Sequence, residues 1–317
     1  MVRLSERVGR LRANNPSPMT LDGTNGYVVR VAPRTLVAVD PGPADDAQRD
    51  AFLAAARDAN ASYAAILVTH GHPDHYPGAA PLSAATGAPV IAHPLAQYPH
   101  DRTLGDGERL TFPEATVTAL HAPGHARDHL VFVLTDERAL FTGDVVIGTG
   151  TVVVAPPNGD MREYQRTLRR LRERFGDASA IYGGHGPEVR HAAAKLDEYI
   201  AHRAMREEQI VAALRELGEA TIPSLVAHVY RDVGRHLWPA AARQVLAYLI
   251  PLEREGVVRS RRLAREPTQD EAALLDPDLS KLDRNVGADV MRAELGYGSR
   301  EPLLAYALAT ASSTFPN

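Results

Sequence analysis

Ala64-Ala65-Ile66-Leu67-Val68-Thr69-His70-Gly71-His72-Pro73-Asp74-His75 joins a continuous apolar run to four ligand-type side chains held within six residues. The run from Ala64 to Val68 predicts a strand buried on both faces. Gly71 and Pro73 disfavour regular structure, so His70, His72, Asp74 and His75 are expected on a loop at the strand's end. A strand end is a rigid platform from which one loop can converge several side chains. Residues two apart in an extended segment project to one side, which lets His70 and His72 share an ion. Pro73 then redirects the chain, so that Asp74 and His75 can face a second ion. Imidazole and carboxylate together suit Zn²⁺, Mn²⁺ or Fe²⁺.

Around this stretch, short apolar runs alternate with turns and helical patterns. Tyr27 to Val31 and Leu36 to Val39 read as strands split by Pro33-Arg34 and closed by Asp40-Pro41-Gly42. Ala47 to Ala59 reads as a helix. Val90 to Ala92, Thr116 to Leu120, Leu130 to Leu134, Ala139 to Thr142 and Ala180 to Tyr182 read as strands, and Arg162 to Phe175 as a helix. This interleaving predicts an α/β sandwich, sheets covered by helices, over residues 1–200. From Pro187 to Glu255 the pattern is helical, with Thr221 placed to cap a helix carrying Pro223 in its first turn. A basic extended ribbon, Val257 to Leu263, follows. Helices followed by such a ribbon resemble a winged-helix module, assigned to residues 201–265. The remainder, 266–317, is a tail of unassigned role, with helix-like stretches at Val286 to Leu295 and Pro302 to Ala311.

The chain has 317 residues, 44% of them hydrophobic and 23% charged, in the range of globular proteins. A net charge of -4 gives no global attraction to polyanions, so any nucleic-acid contact needs a local basic patch. There is no cysteine, which excludes disulfides, thiolate metal ligands and a cysteine nucleophile. No apolar run is long enough to span a membrane, and the N-terminus lacks a secretory pattern, so a cytoplasmic location is expected. His93, His100, His121, His191, His202, His228 and His236 read as ordinary surface or partly buried residues.

Further patterns accompany the histidine loop in order: Val39-Asp40-Pro41-Gly42, Ala122-Pro123-Gly124-His125, Phe141-Thr142-Gly143-Asp144 and Tyr182-Gly183-Gly184-His185-Gly186. With His70-Gly71-His72-Pro73-Asp74-His75 they resemble the five motifs of the metallo-beta-lactamase superfamily. The resemblance implies an αββα sandwich with a binuclear site. It places His70, His72 and His125 on one ion and Asp74, His75 and His185 on the other, with Asp144 bridging and Asp40 supporting the site. It implies hydrolysis by a hydroxide held between two divalent ions, Zn²⁺ foremost and Mn²⁺ or Fe²⁺ as alternatives, with Asp74 helping to orient that hydroxide. Asp128 and His129 are expected in the shell around the ligands or against substrate, because ligating histidines need oriented partners.

An aspartate at position 144 resembles the glyoxalase II, lactonase and nuclease branches, whereas true zinc beta-lactamases carry cysteine or serine there. Asn15-Pro16-Ser17-Pro18-Met19-Thr20 with Gly23-Thr24-Asn25-Gly26-Tyr27, Val152 to Met161, and His202 to Gly256 resemble the beta-lactamase-like-protein-2 group. That group has a winged-helix-like C-terminal domain, and some of its members are single-stranded RNA endonucleases. The expected activity is thus binuclear metal-dependent hydrolysis, with single-stranded RNA as substrate and Arg259, Arg261, Arg262 and Arg265 as phosphate contacts. The alternatives are a small-molecule thioesterase, lactonase or esterase, and a non-catalytic winged-helix protein that binds nucleic acid. A homodimer through the C-terminal region is also considered.

Overall fold

The computed structural model describes residues 1–275 and 303–309. Its contacts divide the chain into Met1–Val152 with Glu163–Ile200, and Val153–Arg162 with the residues from Ala201 onward.

In the first unit, seven strands form one sheet in sequence order: β1 (Val2–Arg3), β2 (Val8–Arg12), β3 (Asn25–Ala32), β4 (Thr35–Val39), β5 (Ser62–Leu67), β6 (Val90–Ala92) and β7 (Arg102–Thr103). The first four are antiparallel and β4 to β7 are parallel. Parallel neighbours need a crossover rather than a hairpin. Accordingly α1 (Asp46–Asp58) lies between β4 and β5, and α2 (Ala79–Thr86) between β5 and β6. The Asp45 carboxylate caps α1 by accepting the backbone N–H of Ala47 at 2.6 Å.

The second sheet contains β8 (Arg109–Phe112), β9 (Ala115–His121), β10 (Leu130–Leu134), β11 (Ala139–Gly143) and β12 (Ala180–Gly183), in the order β12-β11-β10-β9-β8. Its pairs are antiparallel except β11 with β12, which are joined through α3 (Met161–Phe175). Val29, Val37 and Leu67 of the first sheet share a buried cluster with Phe132, Phe141 and Tyr182 of the second. On the other face of the first sheet, Ile66 and Val68 pack with Phe52 of α1 and Leu82 of α2. Successive residues of β5 therefore enter different layers, which is why its apolar run is continuous rather than alternating. Against the second sheet, the α3 hydroxyls of Tyr164 and Thr167 donate to the carbonyls of Val145 and Pro123. The layers run helix, sheet, sheet, helix.

In the second unit, the later part of α4 (Ala192–Leu217) is followed by β13 (Glu219–Thr221), α5 (Ile222–Val229), α6 (Trp238–Arg254), β14 (Val258–Arg262), α7 (Gln269–Leu275) and β15 (Leu304–Leu308). Thr221 caps α5 and proline occupies its first turn, as the sequence predicts. One sequence expectation is corrected here. Pro302 to Ala311 reads as helical, yet its described part forms β15, the middle strand of a sheet ordered β13-β15-β14. Antiparallel pairing on both sides satisfies its backbone and overrides the helical preference of Ala305 and Ala307. Val286 to Leu295 lies outside the described residues. Among those described, no helix is long and apolar enough to cross a membrane.

Candidate metal centre

Asp40 follows β4, His70 follows β5, His125 follows β9, Asp144 follows β11 and His185 follows β12. Within each sheet these strands run in one direction, so their C-terminal ends share a rim, the usual address of α/β sites. The seven ligand-type residues come together there. Potential ligand atoms of His70, His72 and His125 lie within 4.8 Å of one another, as do those of Asp74, His75 and His185. A third such group, His70, His75 and Asp144, links the two. Asp144 lies between them: its Oδ1 is 3.5 Å from His75 Nε2, and its Oδ2 is 3.3 Å from His185 Nε2 and 3.8 Å from His125 Nε2.

Neighbouring side chains fix the direction of these donors. Asp40 has a left-handed backbone (φ 46°) and accepts from the Thr69 N–H, the Thr69 hydroxyl and His75 Nδ1, at 2.7, 2.7 and 2.8 Å. Thr69 Oγ1 also lies 3.0 Å from His70 Nδ1. One buried carboxylate thus orients His75 directly and His70 through a threonine. The Thr24 hydroxyl donates to Asp74 Oδ2 at 2.8 Å, and Asn15 holds Thr24 in turn. Thr24 and Thr69, which brace the cluster by hydrogen bonds, are positions that the sequence reading passed over. Thr69 adjoins the first histidine, and Thr24 lies in the quoted Gly23-to-Tyr27 stretch; neither residue type is itself a ligand signal. At Gly184 a Cβ would fall 2.4 Å from Asp144 Oδ1 and 2.6 Å from His75 Cε1, so a side chain there would occupy the centre.

Asp128 and His129 both adjoin the cluster. Burial pushes the Asp128 carboxyl up to about 6, although it accepts the backbone N–H of Gly71, between His70 and His72. His129 is fully buried, stacks on His70 with centroids 4.5 Å apart, and accepts the Asp144 N–H at 3.1 Å. Of the remaining histidines, His93 and His121 stack on each other, 4.1 Å apart.

Charge divides the cluster. Burial and neighbouring imidazoles hold His70 well below the ordinary histidine range, and His72 at about 3, so both are neutral donors. Burial opposes charge on His75 and His185 too, but Asp74 and Asp144 outweigh it, raising His75 well above its usual range and His185 to about 10. The same pairs depress both carboxyls against their own desolvation. The donor set contains only imidazole nitrogen and carboxylate oxygen. Nε2 of His70, His72 and His75 and Oδ1 of Asp144 are buried without a hydrogen-bond partner. Buried atoms without a partner occur elsewhere in the protein, but these four belong to side chains spaced to share an ion. Four in one cluster fit a bound divalent cation.

Two family models match the chain: "Metallo-beta-lactamase superfamily" over residues 19–185 and "Beta-lactamase associated winged helix domain" over residues 221–265. The chain belongs to the metallo-beta-lactamase superfamily, whose members are generally hydrolytic, and carries a C-terminal winged-helix domain. It is 31% identical to the beta-lactamase-like protein 2 homolog of Drosophila melanogaster, over 84% of this chain and 94% of that protein. It is 35% identical to the atrochrysone carboxyl ACP thioesterase of Aspergillus fumigatus, over 68% of this chain and 67% of that protein. Among solved structures, a beta-lactamase domain protein from Burkholderia ambifaria shares the fold, with TM-score 0.70, 20% identity, and coverage of 83% of this chain and 91% of that one.

Proposed function

We propose that this protein is a metal-dependent hydrolase that cleaves an ester or thioester. His70, His72 and His125 would hold one divalent ion and Asp74, His75 and His185 a second, with Asp144 within reach of both groups. The observation that carries this reading is the set of buried, unpartnered donor atoms on His70, His72, His75 and Asp144. Bound divalent ions supply Lewis acidity and acidify water toward neutral pH. The chain's own residues supply the rest. Asp40 and Thr69 keep the imidazoles of His75 and His70 directed inward. Asp74, steadied by the Thr24 hydroxyl, is the carboxylate placed to orient the attacking water.

An acyl substrate is supported by the thioesterase among the relatives. Single-stranded RNA is the second reading, favoured by similarity to the beta-lactamase-like protein 2 homologs across most of the chain. A purely nucleic-acid-binding role has less support. Every residue of α6 from Ala241 to Leu249 is buried, which leaves no long face to enter a groove.

The test offers metal-analysed protein a panel of thioesters, lactones, esters and single-stranded RNA, with Asp144→Ala as the control. Thioester or ester turnover lost in the variant supports the proposal. RNA cleavage with intact esters would move the assignment to the second reading, and inertness of metal-loaded protein toward every substrate would refute a hydrolase on this panel.

A further inference from the structure

His129 is fully buried at the rim yet lies outside the seven ligand-type residues. Its Nε2 accepts the backbone N–H of Asp144 at 3.1 Å, and its ring lies nearly parallel to His70, tilted by 18°. An imidazole nitrogen that accepts an N–H carries a lone pair, so the ring is neutral with its proton on Nδ1. The backbone makes room for this ring. Gly143 has φ +45°, and a Cβ there would come within 2.9 Å of His129 Cε1 and Nε2. Asp128, one residue earlier, accepts the N–H of Gly71 between His70 and His72. The flanking chain is anchored as well: the His129 carbonyl accepts from Ala122 N–H, and Leu130 N–H donates to Thr69.

We infer that His129 is a positioning residue that fixes the Asp144 carboxylate and the His70 imidazole together, so that both reach one ion. The inference rests on the metal-dependent reading above. Asp144 begins the turn after β11, and its side chain can point steadily only if its peptide is held. His70 is tied to Thr69 through Nδ1, and His129 adds the flat surface that sets the plane of its ring. One ring does both tasks, and Asp128 secures the intervening loop from the next position. Residues that orient metal ligands in this way typically contribute about 10–100-fold to metal affinity or activity.

Two variants separate the hydrogen bond from the packing. His129→Phe keeps a flat ring against His70 and loses the acceptor; His129→Gln restores an acceptor near the Nε2 position. Chelator-stripped proteins are titrated with ZnCl₂ against a chromophoric competitor, and their melting temperatures are compared without metal. The expected result is about 10–100-fold weaker zinc binding in His129→Phe. His129→Gln, which restores the acceptor but not the ring, is expected to recover part of that loss, and metal-free His129→Phe to melt lower only by what one unpaired buried N–H costs. Long-range nitrogen–proton spectra of the wild type should find the His129 proton on Nδ1. Wild-type zinc affinity in folded His129→Phe, or a proton on Nε2, would overturn the inference. A wild-type protein that takes up no divalent ion would overturn the metal reading itself, a result distinguishable from the first.

Discussion

At the scale of single residues, the centre depends on carboxylates that hold imidazoles in place. Asp40 accepts three hydrogen bonds from two residues, Thr69 and His75, at the two ends of the histidine loop after β5. Replacing it with alanine leaves the His75 Nδ1 and the Thr69 N–H without an acceptor in a buried site. We expect Asp40→Ala to lower zinc affinity about 10–100-fold, measured by competitive titration; unchanged affinity would mean that His75 is oriented by something else. Protons give a second residue-scale prediction. In chelator-stripped protein, His185 is raised to about 10 by Asp144 and Asp74 despite its burial. A raised histidine adds stability that is complete below its unfolded value, about 6.5, and is lost as pH rises through about 10. Ion binding needs this imidazole neutral, so uptake must release protons and apparent affinity must rise with pH across that window. Calorimetry in buffers of different ionisation enthalpy should detect the released protons; buffer-independent heats would contradict the assignment.

At the scale of elements, the sequence discloses whatever has a local cause. The strand before His70 is legible because burial on both faces makes it uniformly apolar, and α5 because Thr221 and Pro223 mark its start. The seven ligand-type residues are legible because metal chemistry restricts residue type at close spacing. Thr24 and Thr69 are not, because a hydroxyl that braces a carboxylate resembles any other threonine. β15 is misread because its alanines favour a helix in isolation, while pairing partners 42 or more positions away impose a strand. α2 escapes notice because it is short and no side chain caps its start. Two substitutions test this level. Phe52→Ala removes a fully buried ring of α1 from the helix–sheet layer and is expected to cost about 3–5 kcal/mol, read from denaturant melts. Gly184→Ala, in the turn after β12, would put a methyl against Asp144 and His75, and should reduce metal content with a smaller change in melting.

At the scale of the whole molecule, the question is which substrate reaches the centre, and charge gives a way to answer it. The chain is acidic overall, at -4, and two arginines of the ribbon are matched by Glu219 and Glu271. Arg259 and Arg262 are carried on β14 as well, and Arg259 helps Arg261 to lower the Glu219 carboxyl. If those two contacted RNA phosphates, the logarithm of affinity would fall with the logarithm of salt at a slope of about -1.4. Raising salt from about 50 to 200 mM would then weaken RNA binding about sevenfold. A neutral thioester has no phosphate to release counterions, so its kcat/KM should be nearly flat over the same range. Arg259→Ala combined with Arg262→Ala should likewise leave turnover of a neutral thioester within about twofold, because neither arginine is among the candidate ligands. We expect the flat salt profile. A steep one that levels off in the double variant would identify the ribbon as a phosphate contact and RNA as the substrate.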